Sequence, residues 1–300
     1  MKKSLVVSLI FISVSAQILP SFVAQDARYP SVFYSTKRFP TGLFSEDAKT
    51  LVMQNQWVIG FDLNDVIFLP DYSRIMAQIK ERANDKGIFS LLRTLVKAPT
   101  MVVHKAYRKY QQDLEARAWD GYLQYLLTNA QTPEDKEFIT FVRTFIQTIN
   151  TLNFPVIRLA EELQQHGHHT IALTNMGIHF IETQKQLLSE QLKNKRLSEQ
   201  ERISINTLLQ LLSDPRSTMP CPEIEWCTKP HPKIYQSFLD KNKEHQGCFA
   251  FIDDKEKNVR AAIENGIDIA FVFTSSVELE KALRELGLLP PSLIMKEVFV

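Results

Sequence analysis

Three apolar runs in this 300-residue chain each stop on polar residues, and that repetition constrains the fold more than any other feature. Trp57-Val58-Ile59-Gly60-Phe61 stops on Asp62, His169-Thr170-Ile171-Ala172-Leu173 on Thr174, and Cys248-Phe249-Ala250-Phe251-Ile252 on Asp253 and Asp254. A short continuous apolar run fits a strand buried on both faces, as in a parallel sheet covered by helices. Asn258 to Asp268 reads as an amphipathic helix, a stop at Gly266 and a new strand, Ile269-Ala270-Phe271-Val272-Phe273. Strands alternating with helices predict an α/β sheet, whose ligands bind outside the carboxyl ends of the strands. Asp62, Thr174, Asp253 and Asp254 would stand at those ends.

The gap between Asp62 and Thr174 is too long for one crossover. After Pro70 the pattern turns helical, through Ile75 to Arg82, Ile88 to Val96, Met101 to Leu127 and Phe138 to Ile149, and reads as an inserted helical segment over residues 71–152. A second helical stretch, Ile178 to Leu212, is interrupted at Lys193 to Ser198, where Ser198 three residues before Glu201 predicts a newly capped helix. In His166-Gly167-His168-His169 the glycine falls where a helix ends and the Thr174 strand begins, which favours C-terminal capping over a metal site.

Four motifs follow one another: Phe61-Asp62-Leu63-Asn64-Asp65-Val66-Ile67, Ile171-Ala172-Leu173-Thr174-Asn175, Lys229-Pro230-His231-Pro232, and Phe251-Ile252-Asp253-Asp254 running on to Asn258. Together they resemble the haloacid dehalogenase (HAD) superfamily, most of whose members are Mg2+-dependent phosphatases, over about residues 55 to 290. The resemblance implies a three-layer, Rossmann-like parallel-sheet core with an α-helical cap inserted after the first strand. It also implies an aspartyl-phosphate intermediate. Asp62 would be nucleophile and metal ligand, Asn64 a metal ligand through its backbone carbonyl, Thr174 and Lys229 the groups holding the phosphoryl, and Asp253 and Asp254 the rest of the Mg2+ site. His231 receives no catalytic role.

The first motif departs from the family's Asp-x-Asp. The second aspartate protonates the leaving oxygen and then activates water, and the amide of Asn64 has no proton to exchange near neutral pH. Asp65 is the next carboxylate, one position out of register. An acyl phosphate, whose leaving group needs little protonation, would relax the requirement. Two readings stay open: a phosphohydrolase acting on a small phosphorylated molecule, and an impaired relative that keeps the pocket as a binding or scaffold protein.

The N-terminus carries Lys2 and Lys3 before an apolar run from Leu5 to Ala16, with Val14-Ser15-Ala16 before Gln17. This is the pattern of a bacterial signal peptide over residues 1–16, and predicts export to the periplasm or beyond, with no stable membrane span after cleavage; an uncleaved N-terminal anchor is the open alternative. Residues 17–54 read as an N-terminal extension, residues 55–70 and 153–300 as the α/β core, and residues 71–152 as the cap. A net charge of +1 argues against nucleic acid as the main partner. Cys221 and Cys227, just before the Lys229 motif, fit either a small disulfide loop in an oxidising compartment or reduced thiols.

Overall fold

The computed structural model describes residues 33–35, 52, 55–71, 73–78, 80, 81, 84, 119–148, 150–245 and 248–291. The chain divides into two compact units, with boundaries at 69/70 and 151/152. The readings of residues 1–16 as a signal peptide and of helices over 88–96 and 101–118 lie outside the described residues. No helix among the described residues is long and apolar enough to cross a membrane.

In chain order the elements are β1 (Phe33–Ser35), β2 (Val58–Phe61), β3 (Phe68–Pro70), α1 (Trp119–Thr128), α2 (Pro133–Thr148), β4 (Asn150–Leu152), α3 (Phe154–Gln165), β5 (His169–Ala172), α4 (Ile178–Leu192), α5 (Glu199–Ser213), α6 (Pro232–Lys241), β6 (Phe249–Asp253), α7 (Glu256–Glu264), β7 (Ile269–Val272) and α8 (Ser276–Glu285). The chain leaves the larger unit along β3 and returns along β4, which pair with each other.

The larger unit is built on a five-stranded sheet in the order β1-β7-β6-β2-β5. Four strands are parallel, and β1 runs antiparallel to β7 at the edge. Residues 33–35, within the expected N-terminal extension of 17–54, are part of this sheet; three residues carry too little periodicity to announce a strand. Side chains alternate between the two faces. Ile59, Phe61, Ala172, Ala250, Ile252, Ile269 and Phe271 join a core with α3, α5 and α8. Val58, Ile171, Phe249, Phe251 and Ala270 join a second core with α6 and α7. With both faces covered, the strands have no polar side to show, so their sequences run apolar without alternation.

The smaller unit's described residues include a helical pair, α1 and α2, closed on Leu123, Phe138 and Ile139. Thr132 caps α2, its hydroxyl accepting from the Asp135 N–H at 3.1 Å, and Arg74 donates to the carbonyls of Thr148 and Asn150 at the other end.

Helix ends in the larger unit follow their sequence signals. Ser198 and Glu201 form a reciprocal capping box on α5. After α3 the chain turns at Gly167, φ +84°, and the His168 N–H returns to the Leu163 carbonyl at 3.0 Å. His168 is not set up for a metal. Its Nδ1 accepts the Trp57 N–H at 3.2 Å and its Nε2 lies 2.9 Å from the Leu288 carbonyl. His231 caps α6, its Nδ1 accepting the Lys233 N–H. Cys221, Cys227 and Cys248 are not joined in disulfides, and the Cys221 thiol is hydrogen-bonded to Glu223.

Candidate active site

Strand order fixes where a site can form. The chain passes from β2 to β5 on one side and then returns to β6 on the other, so the direction of winding reverses between β2 and β6. That reversal opens a crevice at the carboxyl ends of the two strands. Phe61 pairs in register with Ala172 and Ile252, so the residues that follow emerge at one level. The Asp62 N–H donates to the Ile252 carbonyl at 2.8 Å, which places Asp62 beside Asp253. Oxygens of Asp62, Asp253 and Asp254 lie within 4.8 Å of one another.

Lys229 enters this cluster from the loop before α6. Its ammonium has three acceptors within 3.0 Å: the Leu173 carbonyl at 2.8 Å, Asp253 Oδ2 at 2.7 Å and Asp62 Oδ1 at 3.0 Å. The side chain has no solvent exposure and lies over the Phe251 ring, 4.8 Å from its centroid. Two buried carboxylates this close would repel strongly, and the ammonium between them offsets that repulsion.

Two asparagines hold this arrangement. Asn175 accepts the Lys229 N–H through Oδ1 at 2.6 Å and donates through Nδ2 to the Lys229 carbonyl at 3.2 Å. Asn258, on the first turn of α7, donates to both oxygens of Asp253 at 2.9 and 3.0 Å. The Lys255 N–H also donates to Asp253 Oδ1, at 2.8 Å, and the Lys255 ammonium lies 3.3 Å from Asp254 Oδ1. Sequence reasoning gave none of these three residues a role. Nothing in the sequence marks Asn175 and Asn258, because an amide beside a strand end is singled out only by the partners that the fold brings to it.

Thr174 is buried, and its hydroxyl oxygen accepts the Met176 N–H at 3.1 Å, which leaves the O–H to donate. Asn64 and Asp65 lie in the turn from Leu63 to Phe68, pinned by Asn153, whose amide donates to the Val66 carbonyl at 2.8 Å. The Asn64 side chain is turned onto its neighbour, Nδ2 donating to Asp65 Oδ2 at 2.6 Å. Asp65 has φ +63°, a left-handed conformation that aspartate tolerates better than most residues.

Asp62, Asp65 and Asp254 have a raised affinity for protons. Burial pushes Asp62 up to about 6, against the pull of Lys229 and with a further push from Asp253. Burial takes Asp254 to about 7, opposed by Lys255 and reinforced by Asp253, Asp62 and Asp65. Asp65 is raised by burial too, against Lys255. For Lys255, burial pulls downward, but Asp254, Asp62 and Asp253 outweigh it and hold the ammonium above the usual lysine range. Four carboxylates against two ammonium groups leave a formal charge of −2 when all are ionised, and the donors are hard oxygens. Such a set fits a small divalent cation such as Mg2+.

No protein-family model matches the chain, and no curated protein matches it in sequence. Solved structures similar to it include a HAD family hydrolase from Deinococcus radiodurans R1 with bound phosphate and sodium. That similarity has 17% identity and a TM-score of 0.43, over 79% of this chain and 99% of the other. A HAD family enzyme from Bacteroides thetaiotaomicron, an aspartate-to-alanine mutant in complex with magnesium and inorganic phosphate, is similar at 12% identity and a TM-score of 0.42, over 73% of this chain and 94% of the other.

Proposed function

We propose that this protein is an exported, Mg2+-dependent HAD-like phosphohydrolase acting on a small phosphorylated substrate through an aspartyl-phosphate intermediate. The observation that carries the reading is the meeting of Asp62, Lys229, Asp253 and Asp254 at the point where the sheet's winding reverses. Export rests on the signal-peptide pattern of residues 1–16.

Asp62 would attack phosphorus through a carboxylate oxygen; the new O–P bond forms as the bond to the leaving oxygen breaks and its electron pair departs with that oxygen. Lys229 lies between Asp62 and Asp253 and offsets their mutual repulsion, and the Thr174 hydroxyl is the donor available to a phosphoryl oxygen. Asp62, Asp253, Asp254 and the Asn64 backbone carbonyl would hold Mg2+, which when bound offsets the charge of the incoming phosphate. Asn64 cannot protonate the leaving oxygen, so substrates with a weakly basic leaving group, such as an acyl phosphate, suit this site best.

The same asparagine supports a second reading, a binding or scaffold protein that keeps the pocket, because its amide is committed to Asp65. Turnover of acetyl phosphate and p-nitrophenyl phosphate with Mg2+ separates the two. Hydrolysis abolished by Asp62→Ala supports the enzyme. No hydrolysis of either compound, beside retained Mg2+ binding, supports the scaffold.

A further inference from the structure

The resemblance gives the phosphoryl contact to Lys229, but the surroundings of that side chain point elsewhere. A lysine ammonium has three hydrogens. Those of Lys229 face three acceptors within 3.0 Å, Leu173, Asp253 and Asp62, in a position with no solvent exposure. A phosphoryl oxygen could take one only by breaking an interaction that holds the two aspartates together. Among the described residues, the cations whose charge acts on Asp62 are Lys229 and Lys255. Lys255 is the one that differs. Its side chain is 37% exposed, and its single contact among the described residues is the 3.3 Å pair with Asp254, which leaves two hydrogens to donate. Its backbone is nonetheless fixed at the site, because its N–H is bonded to Asp253 Oδ1.

We infer that Lys255 is the substrate-binding cation of this site, donating to the phosphoryl oxygens of an anionic ligand, while Lys229 positions Asp62 and Asp253. This rests on the phosphohydrolase reading above. A flexible exposed stem next to the metal-binding carboxylates can follow a ligand in and out, which a sealed, saturated ammonium cannot.

Binding of inorganic phosphate in the presence of Mg2+, measured by calorimetry or 31P NMR on the full chain, tests the assignment. Lys255→Met is expected to weaken phosphate binding about tenfold or more, the effect of losing a charge-assisted hydrogen bond. Lys255→Arg restores most of it. Mg2+ binding measured with the metal alone holds or tightens in Lys255→Met, because a positive charge beside the carboxylates is gone, and the thermal midpoint stays near wild type because the Asp254 pair is partly exposed. A Lys255→Met protein that binds phosphate like wild type overturns the inference and leaves the phosphohydrolase reading standing. Equal loss of Mg2+ and phosphate also overturns it, since Lys255 would then be structural. A wild-type protein that binds Mg2+ but no phosphate overturns both.

Discussion

Asn175 grips the backbone of Lys229 from both sides, accepting its N–H at 2.6 Å and donating to its carbonyl at 3.2 Å across 54 positions of sequence. The loop that carries Lys229 is therefore registered against the end of β5 by one amide side chain. Removing it leaves a backbone donor and acceptor without partners in a half-buried place, at a cost of about 1 to 3 kcal/mol. Asn175→Ala is expected to lower the unfolding free energy by that amount, read from denaturant unfolding, and to slow hydrolysis more than it weakens Mg2+ binding, because the metal-binding carboxylates lie on other strands. Asn175→Asp keeps the acceptor and should lose less; equal losses in the two variants would contradict the two-sided grip.

Gly60 occupies the one position of β2 where a side chain has no room. A Cβ there would meet Leu173 Cβ and Phe238 Cε2, each at 3.1 Å. One neighbour is the strand before Thr174 and the other is α6, so neither moves without moving site elements. Gly60→Ala is expected to destabilise by about 1 to 3 kcal/mol, the usual cost of overpacking a core. An unchanged unfolding midpoint would show that Phe238 yields freely.

Much of this arrangement was legible in the sequence because strands buried on both faces must be apolar along their length, and a polar residue that ends such a run stands out. Asp62, Thr174, Asp253 and Asp254 were visible for that reason, as were the Ser198 capping box and the Gly167 turn. Asn175, Asn258 and Lys255 were not, since what distinguishes them is a partner brought near by the fold. Asn258 reaches Asp253 only because α7 begins at Glu256 and turns the amide back toward the strand. Likewise β1 is defined by pairing with β7 and not by anything in Phe33-Tyr34-Ser35 itself.

His168 predicts a particular dependence of stability on pH. Its Nδ1 accepts the Trp57 N–H, so the fold requires the neutral ring, and burial holds its pKa below the ordinary histidine value. The unfolded chain binds this proton more readily than the folded one. The contribution is therefore complete above about pH 6.5, the unfolded value, and declines as pH falls below it, with a slope of at most about 1.4 kcal/mol per pH unit. His169 is depressed as well, through burial and then His245 and Arg216, and adds in the same direction. Denaturant unfolding from pH 8 to 5 should show this decline, and His168→Gln should flatten it by the share of one proton. A variant that keeps the full wild-type slope would place the proton elsewhere.

The last prediction concerns Asn64. Its amide donates to Asp65 Oδ2 at 2.6 Å, so a carboxyl group in the same place would face that oxygen and share a proton with it. Asp65 is already raised by burial. Asn64→Asp would thus create a carboxyl group that is protonated near neutral pH and stands two residues after Asp62, where a leaving oxygen needs a proton. If the phosphohydrolase reading holds, turnover of alkyl phosphates should rise by about 100-fold or more, the lower end of what a positioned acid contributes. Acetyl phosphate, whose leaving group departs without help, should change little. A flat response on both substrates has two sources, and Asp65→Asn in the wild-type chain tells them apart: activity is lost if Asp65 already supplies the proton, and stays absent if the pocket binds without turning over.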